Sequence, residues 1–157
     1  MDIKHLKILD STAIWDINQD GLPGTGVVSI KEIEQLLGFS QISLGAFVEG
    51  KLVGFVICLP PETRYGSPNY RWFNEKYENF LYVDRIAVAK EYQNREIGSR
   101  LYSEIIRIAN NKSIPITAEV NLQPPNPGSI RFHERHGFAR VGELKSGKKH
   151  VMMMLRN

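Results

Sequence analysis

Apolar and polar positions along this chain switch between a helical and an alternating period, and the switches mark its elements. Residues 10–19 carry helical spacing behind Asp10 or Ser11 as a cap, and Gly21-Leu22-Pro23-Gly24-Thr25-Gly26 is a loop dense in helix breakers. Ser29 caps a second helix, with Glu32 three residues on, apolar positions 30, 33, 36 and 37 on one face, and Gly38 at its end. Leu44–Val48 and Leu52–Leu59 read as a hairpin around Glu49-Gly50-Lys51, and the second strand is apolar nearly throughout, which predicts a central position. After Pro60-Pro61, residues 62–79 read as a long insert, too aromatic for simple disorder. A strand at 80–88 leads through a polar turn into a helix from about Gly98 to Asn110, then into a strand at Ile116–Leu122. Strand, helix and strand joined this tightly predict a right-handed parallel crossover. Pro127 opens a short helix through His136, Gly137 stops it, and Phe138–Leu144 and His150–Leu155 form a last hairpin. The pattern predicts an α+β fold in a single domain over 1–157. Its mixed, mostly antiparallel twisted sheet has about six to seven strands, with a central parallel strand–helix–strand unit and about four helices.

Composition narrows the setting. Of the 157 residues, 42% are apolar and 24% charged, the usage of an ordinary globular chain. No apolar run approaches the roughly 20 residues that cross a membrane, and the first residues lack the order of a signal peptide. One cysteine, Cys58, forms no internal disulfide. A cytoplasmic protein without a membrane partner is the expectation. The four histidines, His5, His133, His136 and His150, show no metal-ligand spacing, so no metal is expected. Lys145, Lys148 and Lys149 read as the solvated tip of the last hairpin.

The chemistry concentrates in Tyr92-Gln93-Asn94-Arg95-Glu96-Ile97-Gly98-Ser99-Arg100-Leu101. The first turn of a helix leaves amides unpaired and carries partial positive charge, so a strand feeding a polar, glycine-bearing turn and a helix builds an anion site. Gln93, Asn94 and Arg95 add donors, and Gly98 and Ser99 leave room beside the backbone. The segment reads as a diphosphate binder.

This order resembles the GNAT superfamily of N-acetyltransferases, which bind acetyl-CoA, and within it a bacterial branch of predicted acetyltransferases without an assigned substrate. Gln93, Ile97 and Gly98 fit the family's loop pattern, while Glu96 stands where the first glycine is expected. Asn126 followed by Phe132-His133-Glu134-Arg135-His136-Gly137-Phe138 is similar to the family's Asn and aromatic-Tyr-x-x-x-Gly-Phe ending, with His133 at the tyrosine position. The resemblance covers roughly 43–155 and is strongest from 80 to 138. It implies that backbone groups of Ile86, Ala87 and Val88 pair with the pantetheine arm as an added strand. It also implies that amides from Gln93 through Asn94, Arg95, Glu96, Ile97 and Gly98 to Ser99 hold the diphosphate. Asn126 then bonds the cofactor arm and Phe132 packs along it, while His133 takes the place of the usual proton donor to the thiolate. An ordinary packing histidine is the alternative there.

A base must take a proton from the incoming ammonium, and Asp84 and Glu119 are the carboxylates on the two central strands. Strict alternation puts Tyr82 and Asp84 on one face and Arg85 on the other, and Asp84 equally suits a salt bridge. The insert's Tyr65, Tyr70, Trp72 and Phe73 are expected to wall an acceptor pocket, with Arg71 or Arg64 reading a carboxylate. The implied activity is acetyl transfer by direct attack of a primary amine, small-molecule or peptide, on the thioester. Family members are often homodimers. A non-catalytic acyl-CoA-binding module is the alternative, marked by the Glu96 and His133 departures. A nucleic-acid-binding domain ranks last, because the net charge of +3 gathers on no single element.

Overall fold

The computed structural model describes residues 1–157 as one seven-stranded sheet with helices on both faces. The strands are β1 (Asp2–His5), β2 (Ile42–Val48), β3 (Lys51–Leu59), β4 (Leu81–Val88), β5 (Ile116–Gln123), β6 (Ala139–Ser146) and β7 (Lys149–Arg156). The helices are α1 (Ser11–Asp20), α2 (Ile30–Phe39), α3 (Pro68–Lys76), α4 (Ile97–Asn111) and α5 (Pro127–Arg135). Strand order is β1-β2-β3-β4-β5-β7-β6, antiparallel throughout except for the parallel pair β4–β5.

The periodic elements fall close to their expected bounds. The Ser29 hydroxyl accepts from the Glu32 amide, and the Glu32 carboxylate accepts from the Ser29 amide. Strand β3, read as central, is buried at every residue from Leu52 to Leu59. Two elements are new. Strand β1 has one apolar residue in four, so its pairing with β2 leaves no alternation to read. Helix α3 lies inside the insert, capped by Ser67 and opened by Pro68 at its first turn. Its Tyr70 and Phe73, one turn apart, are fully buried. Ser67-Pro68 ahead of that pair was the legible signal.

Each sheet face carries its own apolar cluster. Ile14 and Ile17 of α1, Ile33 and Leu36 of α2, and Tyr70 and Phe73 of α3 pack on one face with Phe55, Ile57, Leu59, Tyr82 and Met153. Ile97, Leu101, Tyr102, Ile105 and Ala109 of α4 pack on the other with Val56, Val83, Ala118, Val120 and Met154. Facing clusters this large are the main source of stability, at about 25 cal/mol per Å² of apolar surface removed from water.

Between Arg85, opposite Ile57, and Val83, opposite Cys58, residue Asp84 has no partner on β3. That extra residue is a β-bulge, and it reverses the alternation. Tyr82 and Ala87 face the α1–α3 layer, whereas Val83 and Ile86 face α4. The expectation that Arg85 lies across the strand from Asp84 is thereby corrected: the bulge brings the two side chains together.

Helix α3 is pinned to the far edge of the sheet by Trp72, whose ring lies against Gly142 of β6. A Cβ at that glycine would sit 2.6 Å from Trp72 Cζ2. Gly142→Ala should therefore cost about 1–3 kcal/mol through overpacking. A melting curve should show a fall of several degrees, largely restored by adding Trp72→Phe. An unchanged Tm in the single variant would contradict this packing.

Candidate active site

Strands β4 and β5 pair only at Leu81–Ile116 and Tyr82–Thr117, then diverge. Beyond that point each presents an open edge to the other. The gap continues into a cavity of about 1090 Å³, walled by the 21–27 loop, the start of α3, both strands, α5 and the β6–β7 hairpin. A site of this size takes an extended ligand together with a second small molecule.

On the α4 side, none of the amides from Asn94 to Ser99 donates to an acceptor within the chain, and the first helical bond runs from the Arg100 amide to the Glu96 carbonyl. The Gln93 side chain donates to the Val88 carbonyl (3.1 Å), tying this turn to the end of β4. Glu96 adopts φ +61°, the left-handed region that explains why a glycine belongs here and that costs a non-glycine residue about 1–2 kcal/mol. Its side chain is exposed, so its amide remains a donor while its carboxylate sits in water. A Cβ at Gly98 would meet only Phe132, at 3.8 Å. Open space therefore lies beside the backbone where an anion would approach.

On β5, Glu119 faces the α1–α3 layer, opposite Met153. Its Oε1 accepts from the Tyr82 hydroxyl (2.7 Å) and from Asn69 Nδ2 of α3 (3.1 Å). Its Oε2 is buried and has no partner. Burial pushes Glu119 up to about 8, with the Tyr82 and Asn69 hydrogen bonds acting in the opposite direction and the Asp84 charge adding to the rise. A carboxyl with one oxygen held and the other free, titrating near neutrality, is suited to proton transfer.

Asp84 is differently placed. Its Oδ2 accepts from Arg85 Nε at 2.7 Å, with both side chains below a tenth exposed. Arg85 Nη1 also donates to Asn18 Oδ1 and to the Gly26 carbonyl, both at 3.2 Å, and Asn18 Nδ2 bonds Gly26 as well (3.1 Å). The pair anchors the 21–27 loop over the cavity, and Asn121 Nδ2 of β5 holds its other side through the Pro23 and Gly24 carbonyls. Of the two carboxylates singled out from sequence, Asp84 is paired with a guanidinium, whereas Glu119 meets only neutral donors and keeps a buried oxygen without a partner.

His133 on α5 is 5% exposed. Its Nδ1 lies 2.7 Å from the Ser129 carbonyl and must carry the proton, because a carbonyl only accepts. Nε2 then accepts from the Tyr102 hydroxyl at 2.7 Å. Burial lowers the ring's pKa and raises that of Tyr102, so both are neutral near pH 7. Asn126 caps α5 through the Ser129 amide (3.3 Å), and Phe132 packs on Tyr102 and His136.

The insert residues separate. Tyr65 reaches the cavity, beside Asp84. Tyr70 is a core residue: its hydroxyl donates to the Pro60 carbonyl (2.6 Å) and its ring packs 5.3 Å from that of Tyr82. Trp72 is taken up by Gly142, and Arg71 is exposed away from the cavity lining. Asn69, one residue before the expected wall, does the work instead. Asn18, Tyr82 and Tyr102 were also missed, since each meets its partner only through the fold. No group of His, Cys, Asp and Glu side chains is placed to hold a metal ion, and no helix is long and apolar enough to cross a membrane.

An open strand fork, unpaired amides ahead of a helix and a buried carboxyl are groups that can hold an extended anionic ligand and accept a proton. A sequence profile of the acetyltransferase (GNAT) family matches residues 12–138. The chain belongs to that family and is an N-acetyltransferase. It is 27% identical over 111 residues to a probable spermine N(1)-acetyltransferase of Bacillus subtilis subsp. natto (strain BEST195), covering 70% of this chain and 67% of that one. Its fold superposes on Ard1 from Thermoplasma volcanium with a TM-score of 0.79 (18% identity, 99% of this chain and 95% of the other). It also superposes on the ribosomal-protein-S18-alanine N-acetyltransferase from Escherichia coli with a TM-score of 0.76 (18% identity, 99% and 92%).

A carboxyl whose pKa is higher folded than unfolded weakens the fold as pH rises from its ordinary 4.5 to about 8, because the native state must give up a proton that it holds more tightly. Glu119→Gln removes that cost and keeps an acceptor for Tyr82. Thermal unfolding should show a Tm gain over the parent that is larger at pH 8.5 than at pH 5. A pH-independent difference would mean that the carboxyl is not held neutral.

Proposed function

We propose that this protein acetylates a primary amine by direct attack on the acetyl-CoA thioester, with Glu119 as the base. The observation that carries the reading is the unpartnered, buried Oε2 of Glu119 at the fork where β4 and β5 part.

Acetyl-CoA supplies an activated acetyl group. The residues present fit it: free amides from Asn94 to Ser99 for the diphosphate, the open edge at Ile86, Ala87 and Val88 for the pantetheine arm, Asn126 on the cavity wall and Phe132 beside Gly98. An amide on the open edge of β4 donates to the carbonyl oxygen as negative charge grows there. Glu119 Oε2 takes a proton from the amine, directly or through one water. Tyr82 and Asn69 fix the carboxyl plane through its other oxygen, so little reorganisation is needed. Asp84 is assigned to Arg85 and the 21–27 loop rather than to the proton. As the C–N bond forms and the C–S bond breaks, the sulfur would leave as the thiol with the nitrogen's second proton; His133 holds the Tyr102 hydroxyl in place on the cavity wall.

The acceptor is a small-molecule or peptide amine. A second reading, the non-catalytic acyl-CoA binder, predicts cofactor binding without turnover. The deciding assay follows CoA release from acetyl-CoA against an amine panel, with thermal unfolding to report cofactor binding. Turnover should rise with pH to a plateau above about 8, as Glu119 loses its proton. Glu119→Gln should lower kcat by about 10²-fold or more while leaving the acetyl-CoA-induced Tm shift in place. Binding without amine-dependent CoA release would establish the alternative, and equal kcat in the variant would remove Glu119 from the mechanism.

A further inference from the structure

The charged groups of the cavity do not balance. Its acidic residues are Asp84 and Glu119, and its permanently cationic ones are Arg85, Lys148 and Lys149. Asp84 is closed by Arg85, at 2.7 Å and 3% side-chain exposure. Arg85 Nη1 also donates to Asn18 Oδ1 and to the Gly26 carbonyl. Glu119 is the proposed base, with Oε1 held by Tyr82 and Asn69. Beside Glu119, the one other carboxylate of the cavity already has a guanidinium in contact, which offsets its charge toward a second ammonium. Lys148 and Lys149, by contrast, enter no ion pair.

The position of these lysines tells which reactant they meet. Ser146 pairs with Lys149 and Leu144 with Val151, so the period of two puts Ser146 and Lys149 on the face of Leu144 and Val151. Those two apolar residues pack with the α1–α3 layer. The free amides of the diphosphate turn lead into α4, which packs on the opposite face. Lys149 therefore stands on the sheet face of Glu119, across the sheet from α4, and Lys148 sits beside it in the hairpin turn; both line the cavity and both are exposed.

We infer that the acceptor is an amine that also carries a carboxylate, which Lys148 and Lys149 read at the cavity mouth, and that polyamines are poor acceptors. The inference rests on the acetyl-transfer reading above. A single ammonium enters toward Glu119 and gives up its proton there, while the anionic end stays at the wet, positively charged mouth. A diamine would bring its second charge against Arg85 and the two lysines, and like-charge juxtaposition is how a site rejects a competitor.

The test compares ω-amino carboxylates and peptides with an acidic residue against matched neutral amines, peptides with a basic residue, and diamines. All are assayed with the parent and with the double variant Lys148→Glu/Lys149→Glu. The parent should show the highest kcat/KM for the carboxylate-bearing amines, falling as salt rises because the charges at the mouth are exposed. Charge reversal should cost these acceptors about tenfold, mostly in KM, and should improve the diamines. The acetyl-CoA-induced Tm shift should be unchanged. Acetylation that ignores acceptor charge, a preference for diamines in the parent, or a Tm shift lost on charge reversal would each overturn the inference while leaving the transfer reading intact. CoA release with none of the amines would defeat both.

Discussion

Two pairs of shared ladder, Leu81–Ile116 and Tyr82–Thr117, hold the halves of the sheet together at its centre, and the proposed site depends on the strands parting immediately afterwards. An open strand edge inside a protein is costly, because backbone groups there lose water without gaining a partner. The fold tolerates it because both outer faces are heavily packed: α4 spans the fork on one side, and α1 to α3 cover the other. The extra residue at Asp84 sits just past the last paired position, where it bends β4 away from β5 and turns Arg85 toward the loop that roofs the gap.

The two carboxylates at this fork have opposite fates, and their surroundings decide between them. Asp84 has a guanidinium in contact and serves as an anchor for the 21–27 loop. Glu119 has only neutral donors on one oxygen and nothing on the other, so burial outweighs the opposing pull of the Tyr82 and Asn69 hydrogen bonds. The same burial that weakens the fold at alkaline pH brings the carboxyl into the range useful for accepting an amine's proton. His133 departs from a tyrosine, and the structure pairs it with Tyr102 from the neighbouring helix, so that a hydroxyl still stands in that corner of the cavity.

Much of the architecture was legible because it is periodic. The capping box at Ser29, the apolar β3 and the amphipathic α4 each carry their signal within one window of sequence. The unpaired amides ahead of α4 were legible for a different reason: they follow from a helix start, whatever the side chains. What escaped was non-local or locally silent. The bulge at Asp84 leaves the run Leu81–Val88 looking like any alternating strand, and only its register against β3 exposes it. Asn69 meets Glu119 across 50 positions. Aromatic content suggested a pocket wall in the insert, yet Tyr70 and Trp72 are spent on packing α3 against Tyr82 and Gly142. Lys148 and Lys149 read as an ordinary solvated tip until the hairpin's face was known.

In the proposed reaction the fork between β4 and β5 receives the acyl carrier. Amide hydrogen exchange with and without CoA tests this most directly, because it reads individual backbone groups and requires no acceptor. Protection should grow at Ile86–Val88 and at Ile97–Ser99 together, with little change in β1 or β6. Protection confined to other surfaces, or absent from the β4 edge, would contradict it.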